Sequence, residues 1–156
     1  MEIEKKYLVR HLPEGLENYP SRHLVQSYIS RSPVIRLRKI EEKGQESFVL
    51  TVKGAGLSVR EEFELDLTRE QYERLRAKEE GRVLEKTRYL IPLENTDCGE
   101  DKLTAELDVF HGELSGLILV EVEFGSTGAM EAFVPPEWFG EDVSDSDRYH
   151  NSTLSR

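Results

Sequence analysis

The sequence predicts a mainly β fold of the α+β class, with about eight antiparallel strands closed into a barrel around a charged interior and helices flanking it. Three observations lead there. Short segments of apolar and polar alternation dominate the chain. Their polar positions carry formal charges where a wet sheet face would usually mix in Ser, Thr and Gln. The charges also come in like-signed pairs two residues apart, which repel each other and so do nothing for local strand stability. A sheet closed around something ionic accounts for all three.

Alternation marks strands at residues 1–9, 25–30, 34–40, 47–53, 58–67, 82–92, 102–110 and 117–124. Glu42-Lys43-Gly44-Gln45 and Lys53-Gly54-Ala55-Gly56 read as hairpin turns, and residues 95–101 as a further turn. A helix is expected over 68–80. Thr68 caps it, Gln71 completes a capping box, Leu67 staples the entry and Gly81 stops it, with Tyr72, Leu75 and Glu79 at helical spacing. A shorter helix is expected over 127–133, ended by Pro135-Pro136. Residues 13–20 read as a loop or brief turn. Residues 140–156 form a polar, turn-rich tail anchored by Tyr149 and Leu154. No repeat or linker interrupts the pattern, so residues 1–156 are expected to be one domain.

Composition narrows the function classes. Of 156 residues, 33% are charged and 37% hydrophobic, which describes a water-soluble chain rich in ionic groups. No apolar run approaches the roughly 20 residues that cross a bilayer, and MEIEKKYLV is not a secretory leader, so a cytoplasmic protein with no membrane partner is expected. Cys98 is the one cysteine, which excludes an internal disulfide and a CxxC zinc knuckle. A formal charge of -10 argues against broad nucleic-acid binding, so no nucleic-acid partner is expected. An anionic small molecule remains open, because a local basic cluster can oppose the overall sign.

In a strand, residues two apart share a face. That rule groups Glu2, Glu4 and Lys6; Arg36 and Arg38; Arg60, Glu62 and Glu64; Lys86 and Arg88; Glu106 and Asp108; and Glu121 and Glu123, with Lys53 at a strand end. The opposite faces are largely apolar, from Ile3 and Tyr7 to Val120, Val122 and Phe124. One such strand would describe an ordinary solvated face. Recurrence along the chain predicts a lumen lined by about eight carboxylates and seven basic groups. Packed dry, those groups would carry a severe desolvation cost, which a hydrated channel filled by substrate and metal avoids. A polyphosphate needs both signs. Arg and Lys bind phosphoryl oxygens directly, while carboxylates tolerate them only across a divalent cation such as Mg²⁺ or Mn²⁺. The reaction class expected is phosphoanhydride hydrolysis or a related phosphoryl transfer.

Glu2-Ile3-Glu4-Lys5-Lys6 reads as ExExK. It is followed in order by Gln26-Ser27-Tyr28-Ile29, Arg36-Leu37-Arg38, Thr51-Val52-Lys53, Arg60-Glu61-Glu62-Phe63-Glu64, Lys86-Thr87-Arg88-Tyr89, Glu106-Leu107-Asp108 and Glu121-Val122-Glu123-Phe124. With the closing Asp147-Arg148-Tyr149-His150-Asn151, this series resembles the CYTH superfamily, the triphosphate tunnel metalloenzymes, over essentially the whole chain. The resemblance implies an eight-stranded antiparallel tunnel that hydrolyses or cyclises triphosphates with Mg²⁺ or Mn²⁺. By that analogy Glu2, Glu4 and Glu123 are metal ligands, with Glu121, Glu62 and Glu64 as supporting or second-metal candidates. Lys6, Arg36, Arg38, Lys53, Lys86 and Arg88 match phosphate-binding positions, and Arg60 fits either a phosphate or Glu62. Glu2, Glu4, Lys6 and Glu123 are taken as the catalytic set.

The compact length and the Gly112–Leu117 segment look most like small bacterial members, which implies an inorganic triphosphatase acting secondarily on nucleoside triphosphates. A class IV-type adenylate cyclase, a thiamine triphosphatase and a non-catalytic polyphosphate-binding module stay open as alternatives, as does a homodimer. Tyr28 reads either as a lumen residue near the leaving phosphate or as a structural hydrogen-bonding group. His111 reads as a strand-end polar group, and Cys98 as incidental. His11, His23 and His150 show no metal-ligand spacing, and Trp138 and Phe139 are expected to pack outside the barrel.

Overall fold

A computed structural model describes residues 1–93 and 102–155, so the expected turn at 95–101, with Cys98, lies outside the described residues. The strands are β1 (Glu2–Val9), β2 (Ser21–Arg31), β3 (Val34–Glu42), β4 (Gln45–Lys53), β5 (Val59–Arg60), β6 (Glu62–Leu67), β7 (Glu80–Leu93), β8 (Leu103–Phe110), β9 (Ile118–Glu123) and β10 (Phe139–Asp142). The helices are α1 (Arg69–Arg76), α2 (Thr127–Ala132) and α3 (Asn151–Leu154). Short 3₁₀ turns cover Leu16–Asn18, Gly112–Leu114 and Asp147–Tyr149. Between β3 and β4, Lys43 and Gly44 take φ of 52° and 77°. That pair of left-handed residues is what a two-residue hairpin demands, and it sets Glu42 opposite Gln45.

Among the described residues ten strands form one antiparallel sheet, nine of them in the order β10-β1-β9-β8-β7-β2-β3-β4-β6 and the tenth, β5, pairing β1 off that path. The expectation of a closed eight-stranded barrel is therefore corrected. The continuous ladder is open, and its end strands, β10 and β6, do not pair with each other. Two features of the chain explain this. The segment expected as one strand over 58–67 is divided at Glu61: β5 gives β1 only two paired residues, Glu2 with Arg60 and Ile3 with Val59, and β6 then turns to β4. The second half of the same β1 edge is taken by β10, which sequence alternation did not reveal. The result is a strongly rolled sheet around a cleft, bridged by a short ladder, with apolar residues on its convex side.

The convex side is covered in two places. Tyr7, Leu107, Val120 and Val122 lie under Phe124, Phe133 and Phe139, whose rings approach Tyr7 or one another at 4.9–6.2 Å. Trp138 packs edge-on against Phe139 here, as expected. Across the sheet, Tyr72 of α1 packs on Leu37 and Phe48. The capping box of α1 forms as expected, with Gln71 N–H donating to Thr68 Oγ1 at 3.1 Å and Thr68 N–H donating to Gln71 Oε1 at 2.9 Å. The helix ends at Arg76, earlier than expected, and Glu80 already belongs to β7. Gly81 therefore serves a different purpose: at φ 68° it lies where any Cβ would collide with the Ser155 carbonyl. No helix among the described residues is long and apolar enough to cross a membrane.

Candidate active site

The concave face encloses a cavity of about 300 Å³, lined among the described residues by eight carboxylates and seven basic side chains. Strand order sorts them by sign. Adjacent β1, β9 and β8 carry Glu2, Glu4, Glu121, Glu123 and Glu106, and on β6 lie Glu62, Glu64 and Asp66. Adjacent β7, β2 and β3 carry Arg88, Arg22, Arg36 and Arg38. Lys6, Lys53 and Arg60 stand among the acids. The register sharpens the segregation: Glu4 faces Glu123, Glu106 faces Glu121, and Arg22 faces Arg88 directly across neighbouring strands. Like charges in direct cross-strand pairs destabilise a sheet, so an acidic wall and a basic wall are maintained against local cost.

Part of this charge is neutralised internally. Glu2 accepts from Lys53 Nζ at 2.9 Å and lies 3.6 Å from Arg60 Nε. Glu121 is 3.5 Å from Lys6 Nζ and 3.9 Å from Arg88 Nη2. Burial works against both carboxylates, yet Lys53 holds Glu2 below the usual range and Lys6 with Arg88 holds Glu121 well below it. Other groups are left uncompensated. Burial, then Glu121 and Glu2, pushes Glu4 up to about 8. Burial and a hydrogen bond shared with Glu2 push Glu62 up to about 7. Partial desolvation at the cavity's edge and the charges of Glu2 and Glu106 raise Glu123 as well.

On the basic side, burial beside Arg36 and Arg88 lowers Arg38 to about 9. Gln26, fully buried on β2, holds that guanidinium by accepting from Arg38 Nη2 at 2.8 Å and Nε at 3.2 Å. Arg36 Nε is buried with no hydrogen-bond partner. An orphaned donor of this kind costs free energy unless a ligand or water meets it.

Each residue expected to hold metal or phosphate lines the cavity except Lys86, which is completely buried behind it. There Asp108, 1% exposed, lies 2.7 Å from Lys86 Nζ and accepts two bonds from Arg88 at 2.8 and 2.9 Å. Asp108 was grouped by sequence with Glu106 as a lumen pair. It instead forms a buried ionic support, with one carboxylate serving two cations, and burial lowers Lys86 to about 7. Tyr28 lines the cavity opposite Arg36. Arg22, Asp66, His150 and Asn151 also line it and were not singled out for the site. The signal for Arg22 was present, since it lies on the same face as Gln26, but its strand was expected to begin only at residue 25.

Whether a divalent cation suits these residues can be judged from the donors. No group of three or more His, Cys, Asp or Glu side chains among the described residues is gathered to cage a metal. Among the described residues the raised carboxylates, Glu4, Glu62 and Glu123, make no ion pair, and every acidic donor at the wall is an oxygen. Oxygen-only, charge-deficient sites of this chemistry fit a hard cation.

Comparison with known proteins agrees with this chemistry, although no family model matches the chain. An inorganic triphosphatase of Nitrosomonas europaea is 43% identical over 155 residues, covering 99% of this chain and 96% of that protein. Another, from Acetivibrio thermocellus, is 32% identical over 160 residues, covering 98% and 92%. The crystal structure of the inorganic triphosphatase NE1496 superposes with a TM-score of 0.66 at 39% identity, covering 99% of this chain and 94% of that one. A Pyrococcus horikoshii protein, PH1819, shares the fold at 20% identity and a TM-score of 0.58, over 85% of this chain and 84% of its own.

Proposed function

The chain belongs to the family of the inorganic triphosphatases, the CYTH or triphosphate tunnel metalloenzymes, and on that premise we propose that it hydrolyses inorganic triphosphate with Mg²⁺ or Mn²⁺. The single observation that carries this reading is the acidic wall of β1, β9 and β8 facing the basic wall of β7, β2 and β3 across one cavity.

Glu2, Glu4 and Glu123 are assigned as cation ligands, with Glu121, Glu62 and Glu64 in support. A divalent cation held by these carboxylates would supply positive charge and Lewis acidity toward the phosphoryl group. Arg36, Arg38 and Arg88 are assigned to phosphoryl oxygens from the opposite wall, with Lys6, Lys53 and Arg60 between the walls. The partnerless Arg36 Nε supports this, because a phosphoryl oxygen would satisfy it. Lys86 is assigned an indirect part, fixing Asp108 and through it the orientation of Arg88. In the reaction, water attacks a terminal phosphorus, the anhydride bond breaks, and phosphate and pyrophosphate form. The protein holds the phosphates in place and stabilises the charge that builds on them.

The test is a substrate panel of inorganic triphosphate, pyrophosphate, ATP and thiamine triphosphate with Mg²⁺ or Mn²⁺, following phosphate release and, for ATP, cyclic AMP. Inorganic triphosphate is expected to be hydrolysed at the highest kcat/KM. Cyclic AMP as the main product from ATP, with no phosphate released from inorganic triphosphate, would overturn the reading.

A further inference from the structure

The C-terminal segment does more than pack against the sheet: it forms one end of the cavity. Tyr149 and Leu154 close an apolar cluster with Leu84, Phe110 and Leu119, whose side chains continue the inward-facing rows of β7, β8 and β9. Backbone and side-chain bonds fix this segment in place. Arg82 Nε donates to the Leu154 carbonyl at 2.7 Å and Lys6 Nζ to the Tyr149 carbonyl at 3.0 Å. Lys6 N–H donates to Ser144 Oγ at 2.9 Å. Two side chains of this segment, His150 and Asn151, reach the cavity lining.

We propose that His150 is a phosphate-contacting residue at the closed end of the cavity, where it receives an unesterified terminal phosphoryl group and turns cationic as that group arrives. This rests on the triphosphatase reading for the class of substrate. Three observations carry it. First, His150 Nε2 lies 3.3 Å from the Ser144 carbonyl, which can only accept, so Nε2 bears the hydrogen and Nδ1 is the nitrogen able to take a second proton. Second, neighbouring Asn151 has a buried Oδ1 with no hydrogen-bond partner. An amide orphaned beside an imidazole in a polar cavity marks a place for a hydrogen-bonding ligand, and rotation of the amide would present its NH₂ to a phosphoryl oxygen.

Third, the charges around His150 suit a switch driven by an anion. Lys6 of β1 and Arg60 of β5 face it as like charges, Asp147 lies on its own segment, and the acid nearest Lys6, Glu121, is already paired with it. Burial first, then Lys6 and Arg60, keep the imidazole below its ordinary value. Several negative charges in the cavity reverse that balance. Leu84, Phe110 and Leu119 pack behind the segment, and on that ground the phosphoryl group held here is taken as a chain end. A nucleoside or other ester would have to extend the opposite way.

The experiment is calorimetric binding of inorganic triphosphate to EDTA-treated full-length protein at pH 6 and pH 8, comparing wild type with His150→Gln and His150→Lys and recording melting temperatures. Gln keeps a donor for Ser144 but cannot become charged. At pH 6 His150→Gln should bind about tenfold more weakly than wild type, and at pH 8 only about threefold or less. His150→Lys should restore affinity at pH 8. Protonation of the ligand itself is common to all three proteins and cancels in these ratios. Equal binding by wild type and His150→Gln at both pH values, or a deficit independent of pH, would overturn the proposal. Wild type that binds inorganic triphosphate yet releases no phosphate with Mg²⁺ would sink the triphosphatase reading and leave the role of His150 standing.

Discussion

Side chains that look alike in the sequence separate by burial into those that serve the site and those that support the fold. Asp108 and Glu123 both sit in like-signed acidic pairs. Asp108 is buried between Lys86 and Arg88, whereas Glu123 is exposed at the cavity's edge. Removing one partner of a buried ionic cluster strands the others, typically at about 3–5 kcal/mol. Asp108→Ala should therefore lower Tm by about 10 °C or more, as read by a thermal melt. Glu123→Ala should leave Tm within about 2 °C. The same Glu123→Ala protein should lose nearly all hydrolysis of inorganic triphosphate. A comparable fall in Tm for both variants would contradict this division. The alternation rule identified the faces correctly at Glu2, Glu4, Arg36, Arg38 and Glu121. It could not separate Asp108 from Glu106, or Lys86 from Arg88, because depth below a surface depends on what the neighbouring strands bring and leaves no trace in spacing.

Among the elements, α1 was the most legible, because capping is local chemistry. Thr68 and Gln71 make their reciprocal bonds within four residues of sequence. Thr68→Ala should cost about 1 kcal/mol and lower Tm by about 2–4 °C without changing KM. A fall in activity with unchanged Tm would be the opposite result. What sequence missed was set by distant contacts. β10 owes its existence to the edge of β1, and the break at Glu61 owes its place to a competition between β1 and β4 for the same segment. Gly81 looked like a helix stop and instead makes room for the returning C-terminal segment. Gly81→Ala should therefore release that segment, seen as faster proteolysis near the C-terminus, while far-ultraviolet circular dichroism still reports an intact sheet.

Across the whole molecule, the segregated charges make stability depend on cations and pH together. Glu4 near 8 and Glu62 near 7 both lie above the ordinary carboxyl value of 4.5. The folded chain thus holds protons that the unfolded chain has already lost, and stability declines as pH rises through that window. Asp108 and Glu121 are shifted the other way, so their contribution is present above the ordinary carboxyl range and disappears on acidification through their lowered folded values. Compared with Glu4→Gln, metal-free wild type should lose melting temperature between pH 5 and pH 8, and Mg²⁺ should remove the difference. Open edges at β10 and β6 do not disturb this picture, since the charges meet across the rolled sheet whether or not its ends pair.

The most direct measurement is phosphate release from inorganic triphosphate by four proteins: wild type, Glu4→Ala on the acidic wall, Arg38→Ala on the basic wall, and the pair combined, each with Mg²⁺ and with EDTA. Two walls acting on one bound substrate predict turnover by wild type only with Mg²⁺, and a drop of about a hundredfold or more in kcat/KM for either single variant. The combined variant should be little worse than the poorer single one. Wild-type turnover undiminished in EDTA, or either single variant at wild-type rate, would contradict the account.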